Sequence, residues 1–258
     1  MRALERSAGQ VLVRRTTPPT VTDAGVPLVR LARQLRLLLD ESSVSDDMAG
    51  HGVVDLPVAI NADSLATWAR PVLASVADLP HVALRIHVED ETRSHELLRR
   101  GDVLAAVTAE PRPLSGCTSQ PLGALRYRAV VAPALASRHT SADVVDLSTL
   151  PVVTFDERDR LQDVVLDARG VRRPRVVHRV PSTADFRAAV LAGLGWGLLP
   201  DSQARPDLAA GRIVALPGVE PIDVALHWQR WRLDSPAIGE LSRMVRAAAA
   251  DGLLPRGG

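Results

Sequence analysis

Strand-like and helix-like segments alternate in this chain from residue 53 onward, and this alternation constrains the fold more than any other feature. The strand-like runs "VVDLPVAI", "HVALRIHVED" and "VLAAVTA" are separated by the helix-like runs "NADSLATWARPVLASVADL" and "ETRSHELLRRGD". After the strand-like run "YRAVVAPAL", the same alternation returns from residue 151. Such alternation is typical of parallel sheets covered by helices. The sequence therefore predicts an α/β fold with two lobes and a ligand-binding cleft between them.

The N-terminal part of the chain follows a different pattern. Residues 2–8 predict a helix and "QVLVRRT" predicts a short strand. Pro18-Pro19 predict a turn, because proline fixes φ and lacks a backbone donor. Thr22 is a good N-cap for a long helix that we expect to end at about Asp40.

A leucine stripe runs along this long helix. Its members recur at spacings of three and four, and arginines 30, 33 and 36 lie off the stripe: Leu28, Leu31, Leu35 and Leu38. This spacing predicts a coiled contact between two chains, and a helix packed on its own domain is the alternative. The polar run "DESSVSDDMAGHG" that follows favours the two-chain contact, because it predicts a flexible connection.

Basic charge is concentrated at the N-terminal end. Residues 1–36 contain seven arginines against Glu5 and Asp23, whereas the whole chain has a net charge of +1. A basic end on a mildly acidic body indicates a nucleic-acid contact, and a solvated basic helix is the alternative. The single cysteine, Cys117, and the absence of a long apolar run favour a cytoplasmic protein without a membrane span.

Motifs along nearly the whole chain resemble those of a known family. One set matches the end of its DNA-binding region: Ala3, Leu4, Glu5, Gly9, Leu12, Arg14 and the run Thr22–Gly25. A second set lies in the α/β part: Ile60–Trp68, "VEDET" at 88–92, "ELLRRGDVLAAVT" at 96–108, "PLGALRYRAV" at 121–130, "GLGWGLLP" at 193–200 and residues 227–236. The chain resembles the LysR-type transcriptional regulators, and within them the ArgP/LysG branch, which senses lysine and arginine.

This resemblance implies an architecture and a function. The implied fold is a two-lobed, periplasmic-binding-protein-like effector domain, preceded by a long linker helix and the remnant of a winged helix-turn-helix. The expected parts are the remnant at 1–22, a linker and dimerisation helix at 23–42, a flexible hinge at 43–54 and the effector domain at 55–258, with lobe I at about 55–128 and 226–258 and lobe II at about 129–225. The implied function is a homodimeric or homotetrameric regulator that binds lysine or arginine. It would control RNA polymerase at the promoter of an amino-acid exporter gene.

The resemblance begins near the end of the family's DNA-binding region. The recognition helix of that region reads base edges in the major groove, and its counterpart would lie before residue 1. We expect the reading frame to continue upstream of Met1, which would make promoter DNA a partner. Arg14 and Arg15, beside the Pro-Pro turn, would then contact phosphates. The alternative is a stand-alone amino-acid-binding module that dimerises with a full-length regulator.

The chemistry of a basic amino acid indicates which residues bind the effector. Its carboxylate needs helix N-termini or hydrogen-bond donors, and its two cationic groups need carboxylates. Two helix starts carry suitable residues, and in the resembled family both face the cleft: Asn61, Asp63 and Ser64 in the first, and Ser182 and Thr183 in the second. Plain N-capping is the alternative for Asp63, Ser64 and Ser182.

Three further carboxylates follow predicted strands and are candidates for the distal cation: Glu110, Asp156 and Asp159. Carboxylates at the C-terminal ends of strands point into a crevice, although each alone is more often a surface residue. Thr108 and Trp68 are candidates for lining the site, and the alternative for Trp68 is a place in the core.

Enzyme chemistry finds no support in the sequence. The run "GLGWGLLP" follows a predicted helix and has the spacing GxGxG, so it predicts a helix-to-strand turn rather than a dinucleotide site. The seven histidines lack metal-ligand spacing, and no GxSxG motif is present. We therefore expect no catalytic residues, no metal and no cofactor.

Overall fold

A computed structural model of the chain describes residues 1–46, 52–141 and 144–255. Residues 47–51, which belong to the predicted hinge at 43–54, lie outside the described residues. No helix among the described residues is long and apolar enough to cross a membrane.

Helices and strands alternate as the sequence predicts, which confirms the α/β fold class. The helices are α1 (Arg2–Ala8), α2 (Val26–Asp46), α3 (Ala62–Ala66), α4 (Arg70–Ala77), α5 (Glu91–Arg100), α6 (Pro133–Arg138), α7 (Leu161–Ala168), α8 (Thr183–Leu191), α9 (Asp201–Ala209) and α10 (Pro236–Gly252). The strands are β1 (Val13–Arg14), β2 (Thr20–Val21), β3 (Val54–Ile60), β4 (Val82–Val88), β5 (Ala105–Thr108), β6 (Cys117–Val131), β7 (Thr140–Ser141), β8 (Val144–Val145), β9 (Val152–Thr154), β10 (Val177–Arg179), β11 (Gly197–Pro200), β12 (Val214–Ala215) and β13 (Ile222–Trp231).

The chain divides into two compact units. Unit 1 comprises Met1–Asn61, Ala69–Leu122 and Leu226–Asp251, and unit 2 comprises Ala62–Trp68, Gly123–Ala225 and the residues from Gly252. These bounds differ from the predicted lobes in three places. Residues 62–68, residues 123–128 and the C-terminal residues from Gly252 belong to unit 2 instead of lobe I, so α3 shares a unit with α8.

Unit 1 is built around a sheet with a parallel part and an antiparallel part. Strand β3 pairs in parallel with both β4 and β5, and β5 pairs antiparallel with residues 227–230 of β13. The core beside this sheet contains Leu98, Val103 and Trp231. Helix α10 closes the unit, since the buried Trp228 donates its Nε1 proton to Ser242 at 2.9 Å.

Unit 2 is organised by β6, which pairs antiparallel with β11 and β12. Strand β9 pairs in parallel with β10, and the core contains Val130, Phe186 and Val190. After α8 the chain turns through Gly193 into β11. This confirms that "GLGWGLLP" forms a helix-to-strand turn.

The N-terminal segment forms a helix, a hairpin and a long helix. Strands β1 and β2 pair antiparallel around the Pro-Pro turn. Thr22 accepts the backbone N–H of Gly25 through Oγ1 at 3.1 Å and donates its hydroxyl proton to the carbonyl of Val11 at 2.7 Å. Helix α2 ends at Asp46, beyond the predicted bound of 42, because the run "ESSVSD" lacks the glycine or proline that would end a helix. Four residues of the predicted hinge are therefore helical.

The leucine stripe lies on the exposed side of α2. Leu28, Leu31, Leu35 and Leu38 keep 36%, 50%, 52% and 36% of their surface exposed, whereas Leu37 keeps 4%. Leu37 was not predicted to be the buried leucine of this helix. The four leucines of the stripe are thus available to a partner chain.

Candidate functional site

The carboxyl of Asp63, in unit 2, interacts with side chains from two other elements of that unit. Asp63 lies in the first turn of α3, and Tyr127 of β6 donates its hydroxyl proton to Asp63 Oδ2 at 3.0 Å. Thr183, the first residue of α8, forms another hydrogen bond with this carboxyl. Because Asp63 is the second residue of α3 and its carboxyl contacts other elements, it does not serve as a plain N-cap.

The electrostatic environment of Asp63 disfavours its negative charge. Burial of the carboxyl is the main cause that raises the pKa of Asp63 to about 6, and the negative charge of Asp159 raises it further. Hydrogen bonds from Tyr127 and Thr183 act in the opposite direction but do not compensate. The residue as a whole is half-buried. A carboxyl held in this way gains stability from any cation that approaches it.

The loop after β9 supplies the second negative charge near Asp63. Asp159 accepts the backbone N–H of Phe155 through Oδ2 at 2.8 Å and that of Leu161 through Oδ1 at 3.0 Å. Asp156 accepts the backbone N–H groups of Arg158 and Asp159 through Oδ1. Both carboxylates therefore shape the loop, and of the two only Asp159 affects the pKa of Asp63.

Asp63 and Asp159 are two neighbouring carboxyls for which the described part of the chain provides no basic partner. Among the described residues, no arginine or histidine makes a salt bridge with either of them, although arginine is the abundant ionic partner in this chain. Elsewhere in unit 2, carboxylates are paired with arginines, as Asp201 is with Arg128 and Arg205. Without an arginine from the described residues, Asp63 and Asp159 provide negative charge suited to a cationic ligand.

Other predicted residues of unit 2 have mixed roles. Ser182 is the N-cap of α8 and accepts the backbone N–H of Asp185 at 3.4 Å, which confirms its predicted capping role. Ser64 is fully buried beside Asp63 in sequence. Trp68 keeps 4% of its surface exposed. It packs closely against Gly252, since a Cβ added to Gly252 would lie 2.6 Å from the Cβ of Trp68. Trp68 is therefore packed in the core of unit 2, the alternative role considered for it.

Three predicted effector residues belong to unit 1: Asn61, Thr108 and Glu110. Thr108 is buried at the end of β5 and accepts the backbone N–H of Glu110 through Oγ1 at 3.1 Å. The Glu110 carboxylate accepts the backbone N–H of Arg112 and lies 3.2 Å from Arg112 Nε. These hydrogen bonds lower the pKa of Glu110, so this carboxylate is ionised and locally paired.

Sequence reasoning missed Tyr127. It is the single tyrosine of the chain, it lies within the run "PLGALRYRAV", and it keeps 6% of its surface exposed. A lone tyrosine flanked by arginines in a strand is a signal that could have been followed, because a buried phenol requires a hydrogen-bond partner. Asp63 is that partner.

The sequence matches the family profile of the LysR substrate binding domain over residues 38–250. The chain belongs to the LysR-type transcriptional regulators, a family of regulators and not of enzymes. This confirms both the resemblance and the conclusion that the chain is not an enzyme.

Individual relatives place the chain near one branch of that family. It is 43% identical to the lysine export transcriptional regulatory protein LysG of Corynebacterium glutamicum, over 99% of this chain and 88% of that protein. It is 36% identical to the HTH-type transcriptional regulator ArgP of Pseudomonas fluorescens, over 99% of this chain and 87% of that protein. The solved structure of full-length LysG from C. glutamicum with bound effector Arg matches with a TM-score of 0.88 and 42% identity, over 98% of this chain and 87% of that one.

Proposed function

We propose that this protein is a LysR-type transcriptional regulator whose effector is a basic amino acid, lysine or arginine, with Asp63 binding a cationic group of the effector. The observation that carries this proposal is the raised pKa of Asp63 beside Asp159, with no arginine paired to either carboxyl among the described residues. The bound arginine in the similar LysG structure supports the same class of effector.

The other groups at the site have complementary roles in this proposal. Tyr127 and Thr183 orient the Asp63 carboxyl through their hydrogen bonds. The helix starts at Asn61–Ser64 and Ser182–Thr183 offer donors for the effector carboxylate. Asp159 and Asp156, in the loop after β9, remain candidates for the distal cation. The distinction between lysine and arginine belongs to the geometry around that distal cation.

Regulation then follows from differential binding. An effector shifts only an equilibrium between states that it binds unequally, and here those states would differ in how the chains of an oligomer present DNA-contacting residues. Arg14 and Arg15 are exposed next to the hairpin turn, where phosphate contacts are possible. The proposed output is control of RNA polymerase at an amino-acid exporter promoter. The alternative of a module that pairs with a longer regulator uses the same sensor chemistry.

The proposed effector chemistry is tested by calorimetric titration with L-arginine, L-lysine and L-citrulline, the uncharged analogue of arginine. We expect binding of the two basic amino acids and at least a tenfold weaker affinity for citrulline, because the distal carboxylate interaction would be lost. Equal affinity for citrulline and arginine would contradict the proposal that the protein recognises the distal cation of a basic amino acid.

The affinity for the basic amino acid is expected to depend on pH. Asp63 is protonated below its pKa of about 6 and binds a cation only when it is ionised. Affinity should therefore increase as the pH rises through 6 and level off above about 7. Titrations between pH 5 and pH 8 test this, and an affinity that is flat or that falls with increasing pH would exclude Asp63 as the cation-binding group.

The leucine stripe is expected to hold two chains together. Replacing Leu31 and Leu35, the two most exposed members of the stripe, with aspartate places like charges in the proposed contact and should convert the dimer to a monomer. Sedimentation velocity measures the change. Arg36→Asp, on the same helix but off the stripe, is the control and should remain dimeric. A double variant that stays dimeric would refute this interface.

A further inference from the structure

Helix α2 has a second face, which docks on unit 1. Residues 30, 33, 37 and 41 recur at spacings of three and four and therefore lie on one side of the helix. This docking face is roughly 130° around the helix from the leucine stripe. Leu37 keeps 4% of its surface exposed, compared with 52% for Leu35. The helix thus packs one face on unit 1 and leaves the other exposed.

Arg30 occupies a slot in unit 1. Its guanidinium lies over the ring of Trp231 at 4.6 Å from the centroid, and Nη1 donates to the carbonyl of Ser115 at 3.3 Å. Trp231 is 2% exposed and belongs to the core of the unit. An arginine that stacks on a buried tryptophan contributes more to the stability of a contact than an exposed ion pair does.

Two glycines form the walls of this slot. A Cβ on Gly101 would lie 3.0 Å from Arg30 Cγ and 3.0 Å from Trp231, and a Cβ on Gly116 would lie 3.0 Å from Arg30 Nη2. Both glycines have positive φ, 72° and 82°, which side chains rarely adopt. The absence of side chains at both positions leaves the space that Arg30 fills.

Two more contacts extend the docking face in both directions from Leu37. Arg33 Nη1 lies 2.6 Å from Asp102 Oδ1 and donates to the carbonyl of Arg100 at 3.2 Å, at the C-terminal end of α5. Glu41 Oε1 accepts the hydroxyl proton of Ser235 at 2.6 Å and the backbone N–H of Ala237 at 2.9 Å, at the start of α10. A cation at a helix C-terminus and an anion at a helix N-terminus are both favourable.

The slot connects to the segment that holds two predicted effector residues of unit 1. The fully buried Gln229 donates through Nε2 to the carbonyls of Glu110 and Arg112 and accepts the backbone N–H of Leu114 through Oε1. This network holds the segment that runs from Glu110 to the slot residue Gly116. The slot residue Gly116 thus follows a segment that is fixed by hydrogen bonds to the core of unit 1.

We infer that Arg30 is a positioning residue that latches α2 onto unit 1. In this arrangement α2 is not a loose tether, because Arg30, Arg33 and Glu41 hold it on unit 1 at three points along its length.

Hydrogen–deuterium exchange of the ligand-free protein tests the latch. The variant is Arg30→Gln, which keeps most of the side-chain length but loses the charge, and the matched control is Arg36→Gln, whose partner Asp40 lies on the same helix. We expect amides of residues 100–103 and 114–117 to exchange roughly tenfold faster in the variant than in the wild type. The control should match the wild type. Unchanged exchange in Arg30→Gln would overturn the latch.

Amides of the central strand β3, residues 54–60, distinguish a local latch from a general loss of stability. They should exchange equally in Arg30→Gln and in the wild type. Faster exchange of β3 in the variant would show that the whole of unit 1 is destabilised and would overturn a local latch.

Discussion

Asp63→Asn is expected to weaken effector binding strongly and, at the same time, to stabilise the ligand-free protein. The substitution keeps the size of the side chain and an oxygen that can accept from Tyr127, but removes the charge that attracts a cation. Loss of a charge-assisted hydrogen bond should weaken binding of L-arginine about 100-fold, measured by calorimetry at pH 8.

The gain in stability follows from the pKa of Asp63. Its folded-state value of about 6 lies above that of an unfolded chain, so the ionised carboxyl opposes folding once the pH exceeds that unfolded value. The free energy of unfolding should rise by about 1–2 kcal/mol at pH 7 in Asp63→Asn, allowing for the half-buried position. The gain should vanish near pH 4, where the carboxyl is neutral in the native protein.

Asp185→Asn is the matched control, since Asp185 is an exposed carboxylate in the first turn of α8. It removes the same charge from the same unit and should change neither affinity nor stability by a comparable amount. If Asp63→Asn bound arginine as tightly as the wild type, Asp63 would not be the cation-binding group. A loss of affinity together with a loss of stability would instead indicate a structural role.

Asp207→Asn is expected to destabilise the protein more than the substitutions at Asp63, Asp185 and Asp223 do. The Asp207 carboxylate is fully buried and accepts from Arg187 Nε and Nη2 at 2.7 Å each and from Arg212 Nε at 2.8 Å. It joins α8 to the end of α9. Removing its charge leaves two guanidinium groups without their partner, and we expect the free energy of unfolding to fall by about 2–3 kcal/mol at pH 7, measured by urea denaturation.

The stabilisation that the Asp207 carboxylate provides depends on pH. Burial raises the pKa of Asp207, but hydrogen bonds from Arg212 and Arg187 outweigh burial and hold the pKa below its usual value. The stabilisation is therefore complete above the unfolded pKa and is lost as the pH falls toward the folded pKa. The difference between the variant and the wild type should shrink in acid.

Asp223→Asn tests whether burial, and not the geometry of the ion pair, decides the loss of stability. Asp223 accepts from Arg126 Nε and Nη2 at 2.7 Å each, the same arrangement, but its side chain is 40% exposed, compared with 0% for Asp207. An exposed pair contributes less than about 1 kcal/mol. Equal losses in the two variants would contradict the view that burial decides the effect.

Several elements of the fold could be predicted because their signals are local. The helical pattern of α2, the capping residue Ser182 and the turn "GLGWGLLP" each depend on a few neighbouring residues, and each appears as predicted. The two-chain contact through the leucines of α2 stays a prediction. The 15-residue strand β6 was only partly predicted, from residue 127 onward. Its earlier half contains Pro121 and Gly123, residue types that interrupt strand patterns in sequence although they are tolerated at edges and bends.

The sequence by itself determined the class of fold, the family and the set of candidate effector residues. Periodicity, turn residues and motifs can be recognised in this way because each depends on residues that are close together in the chain. The tertiary structure alone decided which of those residues meet. Tyr127 reaches Asp63 across a separation of 64 residues, and Arg30 meets Ser115 across 85. Burial and the charge of Asp159 together raise the pKa of Asp63. Such contacts depend on how distant segments pack, and no local pattern encodes the dielectric environment that packing creates.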